Sequence, residues 1–247
     1  MLVAAVDTAT LTLSCALLEL GPGGAAVVAT RTDRPPPGGP GHSVRLPGAL
    51  TELLEPLGRS VRDVEGWAVG LGPGSFTGLR IGLATWKGLA YANRRPIAGA
   101  SSLAAMALEA ARSAAEGALL VPLLDARKGE VYAGFYRVRG AELEPVMPEA
   151  AVSPEALLSR VGGAPGAVGF GEGFDAFRGR LEGALPELAA GPATPSAEEV
   201  GRLAAARLAR YDELALFALE PHYVRPSEAE VKFPRGVPVG PPAGTGR

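Results

Sequence analysis

Residues 71–90 read LGPGSFTGLRIGLATWKGLA and hold the densest set of groups able to do chemistry. Gly72, Pro73, Gly74, Ser75, Phe76 and Thr77 run into a helical pattern, so free backbone N–H groups and two hydroxyls meet at a helix start. Such a loop can hold an anion. It can equally satisfy its own amides, with Ser75 or Thr77 as the cap, because the first turn of any helix leaves N–H groups unpaired. Both readings stand on the residues alone. No Gly-Lys-Ser/Thr follows the glycines, which excludes the Walker phosphate loop.

The other chemistry-bearing residues are sparse. Asp7 closes an apolar run at the start of the chain, where a carboxylate at a strand end can hold a magnesium ion through water, as in sugar kinases, actin and chaperone ATPases. Phosphate binding beside it calls for glycine in the next turn. Thr8, Ala9, Thr10 and Leu11 contain none, so a cap on its own turn is the competing role. Asp125 has similar standing before the more open Ala-Arg-Lys-Gly turn. The two histidines, His42 and His222, stand far apart and neither has a second histidine four residues away, so no metal site is expected. Cys15, the one cysteine, lies in an alternating strand and reads as a small buried hydrophobe.

Glycine inside the helix after residue 75 needs a reason. Gly78 and Gly82 lie four apart and Gly88 follows, each costing roughly 0.5–1 kcal/mol relative to alanine. Close approach of a sheet, of a helix in the same lobe, or of a partner chain would offset that cost. Arg80, Thr85, Trp86 and Lys87 stand nearby, able to reach outward. A leucine stripe at 46, 50, 53, 54 and 57 marks a preceding helix that starts near Ser43, since Pro47 is tolerable only in a first turn. That stripe either covers a sheet or, with the glycine-bearing helix, builds a two-helix docking surface.

The elements that would position these residues fall into a repeated order. Apolar residues 2–6, an alternating run to Leu20 and a third run after Gly-Pro-Gly-Gly predict three strands. Residues 33–42 form a proline-rich loop. A strand at 66–70, the glycine-bearing helix to about residue 92, a strand near Ile97 and an alanine-rich helix capped by Ser101 follow. The pattern then restarts: an offset of 118 places Asp125 on Asp7, with the following strands in phase. Helices starting at Ser153 and Ser196 complete the chain, the second with a capping box to Glu199. The expected units are a first lobe over 1–100, a second lobe over 101–220, and a strap and tail over 221–247.

Composition is ordinary for a soluble globular protein. The 247 residues carry 24 basic and 26 acidic side chains, a formal charge of −2, which leaves no autonomous nucleic-acid footprint. A single cysteine suits a reducing compartment. The start of the chain has no basic leader and no apolar run approaches 18 residues, so the cytoplasm is expected and a membrane is not.

Four stretches, AAVDTAT, GLGPGSFTGLRIGLATWKGLA, LLDARKGEVYAGFY and EPHYVRPSEAEVK, together resemble the bacterial tRNA threonylcarbamoyladenosine biosynthesis protein TsaB (YeaZ) family over nearly the whole chain. The resemblance implies a two-lobed actin-like fold (the Hsp70 and sugar-kinase architecture) with duplicated ribonuclease-H-like lobes. It implies no catalytic residue, cofactor or metal of the chain's own, and a TsaD-like catalytic subunit as partner, with a TsaE-like ATPase in the complex. It also implies that tRNA is met only indirectly and that a homodimer can form alone. The catalytic subunit's histidine pair has no counterpart, because Leu46 stands four residues after His42. The docking face implied falls on Leu46, Leu50, Leu53, Gly78, Arg80, Gly82, Thr85 and Trp86. The alternative is an ATPase or small-molecule kinase using Asp7 and the 72–77 loop, with Ser75 and Thr77 at the ligand.

Overall fold

In the computed structural model, residues 1–36, 38–39 and 41–225 are described. The chain opens with β1 (Leu2–Asp7), β2 (Leu13–Gly21) and β3 (Gly24–Asp33), then α1 (His42–Leu54), β4 (Gly66–Gly70), α2 (Phe76–Asn93) and β5 (Ile97–Ala100). β1 is the fully apolar run, and burial on both faces puts it at the centre of a sheet ordered β3-β2-β1-β4-β5. β2 pairs with it antiparallel, and β4 parallel, after the α1 crossover.

One face of this sheet packs on α1 and α2. Leu46, Leu50 and Leu53 enter that core together with Trp67 and Trp86. The two indole rings meet edge to face at 5.3 Å, and Trp86 Nε1 donates to the Ala4 carbonyl at 3.0 Å. That bond offsets the burial of the Trp86 N–H. α1 begins one residue before Ser43, with Gly41 at its N-cap, so Ser43 does not cap it.

The second half comprises α3 (Ser102–Ala110), β6 (Leu119–Asp125), β7 (Val131–Ala133), β8 (Tyr136–Arg139), β9 (Glu142–Pro145), β10 (Ala150–Val152), α4 (Pro154–Val161), β11 (Ala167–Phe170), α5 (Glu172–Ala176) and α6 (Arg178–Leu181). β7 and β8 pair with β6 antiparallel in a single register, broken at Gly134 and Phe135, opposite Pro122, which has no N–H to donate. β9 and β10 line the outer edge of that interrupted strand, and β11 joins β6 in parallel on the other side. A parallel bridge from Gly169 to Glu187 lies beyond β11.

Two helices depart from the expected lobe boundaries. α7 (Ala197–Ala205) lies on the first sheet, where Ala197, Val200 and Ala204 pack against Val3, Ala5, Leu18 and Ala68. α8 (Glu213–Ala218) inserts Leu216 into the core shared by α1 and α2. The second face of the first sheet would otherwise lie open, so the chain returns to cover it. α7 and α8 thus pack against first-half elements, within the span expected of the second lobe. Of the expected strap and tail, residues 226–247 lie outside the described residues. Among the described residues no helix is long and apolar enough to cross a membrane.

Candidate functional site

The glycines of the 71–90 stretch have a common neighbour. A Cβ at Gly74 would stand 2.3 Å from the Ala9 carbonyl oxygen, one at Gly78 would stand 2.2 Å from the Thr8 carbonyl oxygen, and one at Gly82 would stand 2.3 Å from Thr8 Oγ1. Real Cβ atoms do not approach so closely, so this column of glycines is the groove in which the turn after β1 sits. Ser75 N donates to Ala9 O at 2.6 Å and pins the loop to that turn. The polypeptide that approaches the glycine ridge is the chain's own 8–9 turn. This corrects the expectation that Gly78 and Gly82 face a partner.

Ser75 is the helix cap, its Oγ accepting from Gly78 N at 3.2 Å. Its oxygen thereby serves the helix, and both Ser75 and Thr77 lie on the surface. Gly88 is also exposed, and a Cβ there would meet nothing within 4 Å.

Asp7 is sealed. It is 1% exposed, its Oδ1 accepts from Ala9 N at 2.8 Å and its Oδ2 accepts from Ser102 Oγ at 2.6 Å. Ser102 Oγ in turn accepts from Gly72 N at 3.1 Å. A Cβ at residue 70 would lie 2.0 Å from Asp7 Oδ2, so Gly70 is small to admit the carboxylate. Burial pushes the Asp7 carboxyl up to about 6, against the lowering effect of those two hydrogen bonds. Asp125 makes the same bond in its own turn, Oδ1 accepting from Arg127 N at 2.8 Å, 118 residues after the Asp7 pair. It differs in being partly exposed and paired with the Arg127 guanidinium at 3.1 Å.

Two cavities flank Phe76. The larger, about 640 Å³, is bounded by Phe76, Arg80, Lys128, Tyr132, Tyr223 and Arg225. The smaller, about 490 Å³, is bounded by Thr10, Leu11, Ser75, Asp125 and Glu172. Asp7 lines neither. A metal–nucleotide complex held by Asp7 does not fit this arrangement: the carboxylate faces Ser102 rather than the cleft, and the Ala9 carbonyl already occupies the approach to Gly74. Among the described residues no group of three His, Cys, Asp or Glu side chains could hold a metal ion.

His42 is also turned inward. Its Nε2 donates to the Thr10 carbonyl at 2.7 Å and its Nδ1 accepts from Arg45 at 3.2 Å, which defines the neutral tautomer. Burial and the nearby Arg45 hold it below the ordinary histidine value, although the Thr10 bond acts in the opposite direction. His222, by contrast, sits against the Glu149 carboxylate at 3.1 Å, and that hydrogen bond raises it.

Of the residues expected at a docking face, Leu46, Leu50, Leu53, Gly78, Gly82 and Trp86 are buried within the chain. They shape the helix pair from beneath and do not themselves face outward. Arg80 is exposed and Thr85 partly so. The outer face consists instead of Val44, Pro47, Gly48 and Thr51 on α1, with Thr77, Ala84 and Gly88 on α2. Ser102, Thr8 and Glu149 escaped the sequence reading. The spacing of four from Gly74 through Gly78 to Gly82 was the available signal for the Thr8 contact, and Glu149 left none.

A sheet built around a strand that ends in a capped aspartate, with an antiparallel partner on one side and a parallel partner on the other, defines an actin-like α/β protein. A family model described as "TsaD: tRNA N6-adenosine threonylcarbamoyltransferase" matches residues 31–173. The tRNA threonylcarbamoyladenosine biosynthesis protein TsaB of Escherichia coli is 33% identical over 198 residues, 78% of this chain and 84% of that protein. TsaB of Bacillus subtilis is 39% identical over 108 residues, 44% of this chain and 46% of that protein. Among solved structures, YeaZ from Pseudomonas aeruginosa superposes with a TM-score of 0.69 at 30% identity, covering 90% of this chain and 99% of its own. A P. aeruginosa protein described as uncharacterized, with similarity to peptidase YeaZ, gives 0.73 at 31% identity, covering 91% and 99%. The chain belongs to the TsaB/YeaZ family.

Proposed function

We propose that this chain is a non-catalytic accessory subunit for synthesis of N6-threonylcarbamoyladenosine at position 37 of tRNA, and that it docks a TsaD-like catalytic subunit through the outer face of α1 and α2. Membership of the TsaB/YeaZ family supports the pathway. The observation that carries the non-catalytic part is the sealed Asp7, which is bonded to Ala9 and Ser102 and lines neither cavity. A TsaE-like ATPase joins the same complex, tRNA is met chiefly by the partner, and the free chain can pair with a second copy through the same face. The reading of the two halves as duplicated ribonuclease-H-like lobes draws support from a central strand with one antiparallel and one parallel partner in each, β1 with β2 and β4, β6 with β7 and β11, and from the paired Asp7 and Asp125 turns.

The docking reading draws on the low relief of the helix pair. Ala84 and Gly88 leave α2 with little side chain on its outer side, so another helix can come close, and Val44, 70% exposed, offers apolar surface beside it. Co-purification with the TsaD-like subunit of the same organism tests this. Ala84→Arg is expected to abolish the complex while the free chain keeps its thermal transition, and retained binding would refute the surface. Gly82, whose added Cβ would strike Thr8, is unsuitable for that test. The alternative ATPase or kinase reading stands or falls on calorimetry of the isolated chain with magnesium–ATP, in which no heat of binding is expected.

A further inference from the structure

The two halves of the molecule meet along α3, where Ser102 bonds Asp7 and Ala105 joins the first-sheet core. Ala9 and Leu79 are the buried first-half residues in the core that α3 forms with β6, and the 640 Å³ cavity opens beside them. Residues 220–225 cross that gap and take hold on both sides.

On the first-half side, His222 N donates to the Leu71 carbonyl at 2.8 Å. The Tyr223 ring lies 5.3 Å from that of Phe76, and its hydroxyl accepts from Arg80 Nε at 2.9 Å. Arg80 is itself stacked on Phe76, with Cζ 3.8 Å from the ring centroid. On the second-half side, His222 Nδ1 meets Glu149, a carboxylate 8% exposed that also accepts from Ser101 and Tyr136. Arg225 donates to the Ala126 carbonyl at 3.0 Å, pairs with Glu130 and lies over the Tyr132 ring at 5.9 Å. His222 thus holds both halves, Tyr223 the first and Arg225 the second. An extended segment of six residues has few contacts with itself, so its order derives from these outside anchors.

We propose that residues 220–225 are a clasp that fixes the first half against the second and, by holding Phe76 and Arg80, fixes the first turn of α2 in the geometry it presents to a partner. The proposal rests on the docking reading only in that last consequence. Charge-assisted hydrogen bonds are the stronger kind, and here two of them hold the second half, His222 on Glu149 and Arg225 on Glu130. Because one short segment carries both sets of anchors, loss of one set loosens the other. Independent surface contacts would lack that coupling.

Hydrogen exchange on the full-length chain, alone and followed by mass spectrometry, tests the coupling. Arg225→Ala removes only second-half anchors, yet exchange at residues 71–80 is expected to accelerate by about tenfold, equivalent to roughly 1.4 kcal/mol of local opening. Tyr223→Ala removes only first-half anchors, and a similar acceleration is expected at residues 126–132. β1, β2 and β4 should keep their protection in both. If each substitution loosens only its own side, or neither changes exchange, the clasp is refuted. Tyr223→Phe, which retains the ring and loses the hydroxyl to Arg80, gives a milder variant: a smaller acceleration on both sides supports the clasp, and one confined to residues 71–80 refutes it. Ala84→Arg, measured in parallel, should leave exchange at both sites unchanged even where it abolishes docking, so failure of the clasp and failure of the docking surface are told apart.

Discussion

Asp7→Asn should make this protein more stable at neutral pH. Asp7 is an acid whose folded-state pKa is raised from an ordinary 3.8 to about 6, with burial the largest cause. The unfolded chain therefore releases this proton first as pH rises. The group's effect on stability is neutral below about pH 4, grows unfavourable between 4 and 6, and holds its full cost above 6. At ~1.36 kcal/mol per decade of proton affinity, the folded state gives up about 3 kcal/mol at pH 7. Asparagine occupies the same volume, its carbonyl can accept from Ala9 N, and it carries no charge to desolvate. Ser102 loses the acceptor for its hydroxyl proton, a loss of about 1 kcal/mol. The net expectation is a gain of about 2 kcal/mol at pH 7 that shrinks as pH falls below 6 and turns into a small loss near pH 4. Urea denaturation of wild type and variant at both pH values measures it, and taking the difference cancels every other titrating group. A variant no more stable at pH 7, or one whose advantage is equal at pH 4, would refute the reasoning. The same variant should dock its partner normally, whereas a subunit relying on Asp7 for catalysis would lose its activity.

Two glycines of α2, Gly88 exposed and Gly78 buried, separate space from helix propensity. Gly88→Ala should stabilise by about 0.5–1 kcal/mol because nothing opposes the new methyl, while Gly78→Ala should destabilise by about 2 kcal/mol or more as its Cβ meets the Thr8 carbonyl; thermal melts of both settle the sign. The two histidines should titrate on opposite sides of free histidine in NMR, His42 below and His222 above. The His222–Glu149 pair favours the protonated ring, so its stabilisation is complete below about pH 6.5 and is lost as pH rises through the raised value. Glu149→Gln should bring His222 down without moving His42. Burial pushes the Cys15 thiol up to about 12. A thiol reagent should therefore leave folded protein unlabelled and react stoichiometrically in denaturant.

Local pattern by itself determined much of this molecule. The alternation around Cys15, the leucines from 46 to 54, the serines at 75, 153 and 196 and the restart at Asp125 each specify an element or its cap, because hydrophobic period and helix capping act within a few residues of chain. The four resembling stretches carried the family in the same way. Which chain lies against Gly78 and Gly82 could not be read there, since a glycine reports that something comes close and not what. The folded arrangement supplied Thr8, seventy residues earlier, and left Gly88 as the open one. Tertiary structure alone also turned Asp7 toward Ser102, carried α7 back onto the first sheet and set His222 between Leu71 and Glu149. These are contacts between residues far apart in sequence, chosen by how apolar faces must be covered and buried polar atoms paired, and no local spacing encodes them.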